Sequence, residues 1–269
     1  MIPRIIHYCW FGRNPKHKLE KKCIASWKRF CPDYQIIEWN EDNYDLASAP
    51  LFVRQAIQAK KWAFATDYIR LKVVYDYGGI YMDTDVELVK PLDSLLENKA
   101  YFGLLYSKPN IFIASGLGFG AEKHTRCLLE LMSIYESEPF LLSNGEKNMA
   151  TNTAKETNFF QKYGLMREDR EQLLADAIHV YPTEYFNPIH WGEKKPHLTA
   201  RTVSIHWGTH SWWDNANIQR VFGAGKTYQI VMFILRLPNR IMLMILGREA
   251  YENMKKVIKH FADSLRGKS

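Results

Sequence analysis

The chain is predicted to fold as a single α/β three-layer sandwich followed by a helical tail. Three observations predict this. Short apolar runs of strand length alternate with stretches of helical period through the first half. A chain of 269 residues with 46% hydrophobic content can bury one sizeable core. Charge also divides the chain. Residues 1 to 219 carry 26 Lys+Arg against 26 Asp+Glu, whereas 220 to 269 carry ten against three, so the formal +7 resides in the tail. The predicted units are therefore 1–219, a neutral body, and 220–269, a basic amphipathic tail.

The elements follow in order. Ile2 to Trp10 is a short apolar run that stops at Phe11-Gly12 and reads as a buried first strand. From Pro15 to Phe30, Leu19, Cys23, Ile24 and Trp27 recur at helical spacing on a lysine-rich background, and Cys31-Pro32-Asp33 ends that helix. Tyr34 to Trp39 is a second strand, closed by the polar group Asn40-Glu41-Asp42-Asn43. Helices are predicted over Leu51 to Lys60 and over Trp62 to Tyr77, the latter stopped by Gly78. Ile80 to Val86 reads as a strand, as do Tyr101 to Leu105, Ile111 to Phe119 and Val203 to His206. Thr125 to Tyr135 reads as a helix.

Composition narrows the function. A neutral body offers no track for a phosphate backbone, which argues against nucleic acid as substrate. Cys9, Cys23, Cys31 and Cys127 form no C-x-x-C pair and no zinc spacing. With no secretory leader before Pro3, they are expected to be buried, reduced thiols of a cytoplasmic protein.

The most informative stretch is Gly78-Gly79-Ile80-Tyr81-Met82-Asp83-Thr84-Asp85. Asp83 and Asp85 are one residue apart, so on an ideal strand both carboxylates share a face. Hard Mg²⁺ or Mn²⁺ takes oxygen ligands and is commonly completed by substrate phosphates, so two carboxylates suffice. Upstream, Asp67 and Arg70 are neighbours on a helix surface at i,i+3. They form either an ordinary ion pair or a clamp on sugar hydroxyls and phosphate oxygens. The glycine pair either admits a ligand close to the backbone or turns the chain sharply into the strand.

Ala-x-x-Asp-x-x-Arg followed by Gly-Gly-Ile-Tyr-x-Asp-x-Asp resembles the sugar-binding DXD region of glycosyltransferase family 32. The opening strand Ile2 to Gly12, the helix with Ser26-Trp27 and the strand ending Glu38-Trp39-Asn40 are similar to that family too. The resemblance covers roughly residues 2 to 93 and is patchy beyond. It implies a GT-A fold and a metal-dependent hexosyltransferase that uses a UDP-sugar, Mn²⁺ or Mg²⁺, and retention of anomeric configuration. It implies roles as well. Trp10 would stack on uracil, and Asp67 and Arg70 would hold the donor sugar, beside Gly79. Tyr81 and Asp83 would touch the ribose or sugar side. Asp85 would be the direct metal ligand. Near the end, Ser204 to Trp213 is similar to the family's closing His…Ser-Trp pattern. On that likeness His206 completes the metal shell or meets the β-phosphate, and Ser211 and Trp212 close over the diphosphate. Asp85, Asp83 and Arg70 are thus the expected catalytic set, and Glu87 is expected to be a bystander.

Lys226 to Leu246 holds two apolar runs, Ile230 to Leu235 and Ile241 to Leu246, split by Arg236, Pro238, Asn239 and Arg240. That is too broken for a spanning helix. A basic apolar hairpin at an anionic membrane surface and a pair of helices forming a dimer contact both stand open. On the first reading the protein is peripheral on the inner face of the cytoplasmic membrane. Its acceptor is then a glycan or lipid-linked oligosaccharide of surface-polysaccharide assembly. The alternative to an enzyme is a non-catalytic, metal-dependent glycan-binding module, which has no need of a nucleotide site.

Overall fold

The computed structural model describes residues 1–107, 110–189, 193 and 195–208. They fall within one compact unit, Met1–Thr209. The tail 220–269, with its expected helices, lies outside the described residues, as do His210, Ser211 and Trp212.

Ten strands and six α-helices make up the described chain. In order they are β1 (Ile5–Cys9), α1 (Lys18–Phe30), β2 (Gln35–Trp39), α2 (Leu51–Gln58), α3 (Trp62–Tyr77), β3 (Gly79–Tyr81) and β4 (Val86–Leu88). There follow β5 (Ala100–Ser107), β6 (Asn110–Ile113), β7 (Phe119–Ala121), α4 (Arg126–Ser137), α5 (Asn152–Gln161), β8 (Gln172–Leu174), β9 (Ile178–Tyr181), α6 (Thr183–Phe186) and β10 (Ser204–His206). The main sheet runs β2-β1-β3-β7-β5-β9-β8, with β6 paired to β5. β2, β1 and β3 are mutually parallel, and β7 then enters antiparallel. β4 leaves this sheet and pairs antiparallel with β10 in a separate two-stranded ribbon.

Helices cover both faces of the sheet, so the layering is the expected α/β sandwich. Alternation along β1 shows why. Ile6 and Tyr8 pack with Trp27 of α1 and Phe186 of α6, whereas Cys9 joins Phe52 of α2, Ile69 of α3, Leu128 of α4 and Phe160 of α5. All four cysteines are free and buried, as expected, and burial pushes the Cys9, Cys23 and Cys127 thiols up to about 12 and Cys31 to about 11.

Two segments depart from the sequence expectation. The strand predicted over Ile80 to Val86 ends at Tyr81, and Asp83 to Val86 turns instead, closed by the Val86 amide donating to the Asp83 carbonyl at 3.0 Å. Asp and Thr side chains compete with a ladder for backbone hydrogen bonds, so they favour a turn where partners allow one. The strand predicted over Ile111 to Phe119 is likewise broken by a 3-10 turn at Ser115–Leu117. Helix α3 is also buried nearly all round rather than along one face. That explains how Asp67 and Arg70, which would be surface neighbours on an amphipathic helix, come to be interior.

The seam between β1 and β3 carries a buried histidine. The Trp39 indole N–H donates to His7 Nδ1 at 3.1 Å, so the ring proton sits on Nε2 and donates to the Gly78 carbonyl at 2.8 Å. Gly78 caps α3 with φ of 67°, and a Cβ there would stand 2.8 Å from Pro3 Cδ. The pair therefore turns the chain into the sheet. Burial lowers His7 from 6.5 to about 4, against the opposing Gly78 bond. A histidine depressed in the folded state stabilises above its unfolded value, and that stability is lost as pH falls from about 6.5 towards about 4. The expected loss across this window is about 3 kcal/mol. Urea unfolding at the two ends of the window should show a smaller acid loss for His7→Gln, and equal losses would contradict this assignment.

Candidate active site

The three parallel strands β2, β1 and β3 bring their carboxyl ends to one edge of the sheet, next to the point where β7 reverses direction. Open α/β sheets bind ligands at such a switch point. Trp10 follows β1 there, and the Asp83-Thr84-Asp85 turn follows β3. The Met82 amide donating to the His7 carbonyl at 3.1 Å ties the start of the turn to β1.

One ligand atom from each of Asp83, Asp85 and His206 lies within 4.8 Å of the others. The two carboxylates thus converge as expected, through a turn rather than by strand alternation. The ribbon explains the histidine. His206 pairs with Val86 across β10 and β4, and the Trp207 amide donates to the Asp85 carbonyl at 3.0 Å. His206 Nε2 stands 3.3 Å from Asp85 Oδ1. Although burial alone opposes protonation, the Asp85 and Asp83 carboxylates raise its pKa above the usual value. Two carboxylates and an imidazole on one small turn suit a hard to borderline divalent cation such as Mn²⁺ or Mg²⁺.

Behind the turn lies Arg70, 4% exposed. Its Nη2 reaches Asp67 at 3.3 Å and Asp83 at 3.2 Å, Nη1 donates to Ser115 Oγ at 3.2 Å, and Nε donates to the Thr66 carbonyl at 3.2 Å. Its guanidinium lies 5.0 Å from the Tyr81 ring centroid, while the Tyr81 hydroxyl donates to Asp83 Oδ1 at 3.0 Å. Most Arg70 donors are therefore spent on protein acceptors. Burial opposes its charge, but Asp83, Tyr81 and Asp67 hold its pKa well above the usual value. Burial lifts Asp67 to about 8 in spite of Arg70. It raises Asp83 too, also against Arg70.

Two groups in this cluster escaped sequence reasoning. Glu156 on α5 is fully buried, accepting from the Ser115 amide at 2.9 Å and the Ser115 hydroxyl at 2.5 Å. Burial lifts its carboxyl to about 7 against those bonds. Asn152, on the same helix, approaches Ser115 Oγ at 3.5 Å and Glu156 Oε1 at 3.4 Å. No motif signals these residues. An i,i+4 Asn/Glu pair behind a Thr N-cap is the available cue, and it is a weak one. Asn158 lies apart, accepting from Arg167 at 2.9 Å.

Other expected residues sit as follows. Trp10 donates its indole N–H to the Asn14 carbonyl at 2.7 Å, with Lys16 Nζ 5.2 Å from its ring centroid. Gly79 lies inside the sheet, where a Cβ would meet the Ile5 carbonyl at 2.7 Å, so its glycine serves the β1–β3 seam. Glu87, expected to be a bystander, accepts from the Trp207 indole at 2.9 Å and from Lys22 at 2.7 Å, bracing the residue next to His206. Ser26 and Trp27 brace the same ribbon, the Leu88 amide donating to Ser26 Oγ at 2.9 Å and Trp27 Nε1 donating to the Val86 carbonyl at 2.7 Å. A separate polar cleft of about 440 Å³ is lined by Gly12, Arg13, Asn14, Glu41, Lys60 and Trp62, beyond Trp10 and without the acidic cluster.

The Asp83 amide donates to the Gly116 carbonyl at 3.1 Å, and a Cβ on Gly116 would stand 2.2 Å from Asp83 Oδ2. Because that neighbour is a side-chain end, Gly116→Ala should fold but displace the carboxylate. Titration with Mn²⁺ should then show affinity about 10-fold weaker than wild type. Unchanged affinity would show that Asp83 takes no part in holding the ion.

Residues 17–102 match the family described as a glycosyltransferase sugar-binding region containing a DXD motif. Two relatives are the inositol phosphoceramide mannosyltransferases 1 and 3 of Schizosaccharomyces pombe. The first is 33% identical over 119 residues, covering 40% of this chain and 35% of its own. The second is 31% identical over 106 residues, covering 37% and 29%. The chain thus spans about a third of the length of these curated relatives. A solved structure, the PaToxG glycosyltransferase, is similar at 22% identity and a TM-score of 0.47, covering 60% of this chain and 69% of that one. The matched segment contains α3, β3 and the acidic turn.

Proposed function

We propose that the protein is a metal-dependent glycosyltransferase that moves a hexosyl group from a nucleotide-sugar to a hydroxyl of a glycan or lipid-linked acceptor. The observation that carries this reading is the convergence of Asp83, Asp85 and His206 on the turn that ends the matched DXD region. The donor is a UDP-sugar on the resemblance noted above. The relatives' names, which specify mannose and inositol phosphoceramide, favour a hexose and a lipid-borne acceptor.

The reaction breaks the bond between the anomeric carbon and a β-phosphate oxygen, which leaves with the electron pair. The acceptor hydroxyl forms the new bond to the anomeric carbon and gives its proton to the departing β-phosphate oxygen. Charge develops on the sugar as an oxocarbenium ion and on the departing diphosphate. Asp83, Asp85 and His206 would hold Mn²⁺ or Mg²⁺, which supplies positive charge against that diphosphate. The chain's own residues do the positioning. Arg70 fixes Asp67 and Asp83 relative to each other, leaving the Asp67 edge to sugar hydroxyls. Tyr81 orients Asp83 through its hydroxyl, and Trp10 offers an aromatic face to the base. Ser211 and Trp212 are the closing residues of this proposal. Preorganised charges of this kind stabilise a transition state without a protein nucleophile, consistent with retention.

The tail, with ten basic groups against three acidic ones, is proposed to meet an anionic cytoplasmic-face membrane in surface-polysaccharide assembly. No helix among the described residues is long and apolar enough to cross a membrane.

Release of nucleoside diphosphate from nucleotide-sugars, assayed with Mn²⁺, tests the proposal. Asp85→Ala and Asp83→Ala should each lower the rate at least about 100-fold, and EDTA should abolish it. Glu97→Ala, an exposed change, should leave it intact. Full activity in Asp85→Ala, or equal rates in EDTA, would defeat the assignment, and binding of free sugars without nucleotide would favour the glycan-binding module.

A further inference from the structure

The acidic turn has a rear wall built by one helix. Two successive residues of α5 reach into the broken strand after β6. Thr157 Oγ1 accepts from the Ile113 amide at 2.9 Å while donating to the Thr153 carbonyl at 2.6 Å. Glu156 takes both the amide and the hydroxyl of Ser115. The 3-10 turn that starts at Ser115 then presents Gly116, whose carbonyl receives the Asp83 amide and whose Cα faces the Asp83 carboxylate.

The hydroxyl link is oriented by Arg70. A guanidinium only donates, so Ser115 Oγ accepts from Arg70 Nη1 and turns its own proton to Glu156 Oε1. Arg70 in turn touches Asp83. Glu156 therefore bears on Asp83 by two routes, one through the Ser115 backbone to Gly116 and one through the Ser115 hydroxyl to Arg70. Packing alone does not call for a carboxylate here. Well-packed apolar side chains usually serve a buried site as well as charged ones, without the cost of desolvation. The carboxyl is explained if its two oxygens are there to fix Ser115, and through it the guanidinium and the turn.

We infer that Glu156 is a positioning residue, which holds Asp83 in its ligating place through Ser115, Gly116 and Arg70. The inference rests on the reading of Asp83 as a metal ligand and goes beyond it by naming the group that sets its position. Outer groups that orient ligands commonly change metal affinity or activity 10- to 100-fold when altered.

The test compares wild type, Glu156→Gln, Ser115→Ala and the double variant. Gln keeps the size and the acceptor for the Ser115 amide but removes the charge, and Ala removes the hydroxyl link alone. Mn²⁺ dissociation constants should rise about 10-fold in each single variant, with thermal midpoints within about 3 °C of wild type. The double variant should be no worse than the weaker single one, because both changes cut one link. Amide exchange in metal-free protein should quicken at Asp83 in Glu156→Gln, while the Ser115 amide keeps its acceptor. Unchanged Mn²⁺ affinity in both single variants, or effects that multiply in the double, would overturn the inference. If wild type itself takes up no Mn²⁺, the metal reading fails. The exchange data then decide whether Glu156 holds Asp83: quickened exchange supports that link and unchanged exchange overturns it.

Discussion

One buried guanidinium organises the candidate site at the sheet edge of this protein. Arg70 is nearly sealed from solvent, yet it meets Asp67, Asp83, Ser115 and the Thr66 carbonyl at once. Burying charge costs free energy unless partners are well placed. Here they come from α3, from the turn after β3 and from the 3-10 turn after β6. Removing Arg70 would leave Asp67 and Asp83 facing each other with Glu156 close behind. The surplus of carboxylates over cations in this interior is what makes a bound divalent ion physically reasonable.

The site also depends on a change of sheet. β3 belongs to the main sheet and β4 to a ribbon with β10, so the chain must turn between them, and the acidic pair occupies that turn. The ribbon then delivers His206 from more than a hundred residues away to the side of Asp85. Ser26, Trp27 and Lys22 secure this ribbon from α1, Lys22 by donating to Glu87 of β4, which also accepts from Trp207. Sheet crossover and site assembly are therefore one structural event. This is why residues that look merely structural in α1 bear on the position of a proposed ligand.

Much of this was legible in the sequence because its signals are local. Apolar runs marked β1 and β2, a glycine stop marked the end of α3, and the Asp-Thr-Asp spacing marked the acidic cluster. The remainder was hidden because it depends on partners distant in the chain. The helix reading of α3 could not show that Asp67 and Arg70 are interior, since α2, α4 and the sheet strands packing against it make them so. The strand reading of Asp83 to Val86 failed because pairing with β10 draws Val86–Leu88 out of the main sheet, and the Asp and Thr side chains favour a turn where the chain leaves it. Glu156 was invisible for the same reason, being one glutamate in a helix whose buried face is set by the tertiary fold.

The central claim is that Asp83, Asp85 and His206 jointly hold a divalent cation against a nucleoside diphosphate. A crystal of the full chain grown with Mn²⁺ and UDP, measured at the manganese absorption edge, tests it most directly. The account predicts a single strong anomalous peak about 2.2 Å from an Asp85 oxygen, with the diphosphate on its open side. A diphosphate bound with no anomalous peak at this turn, or a peak held by other residues, would contradict it.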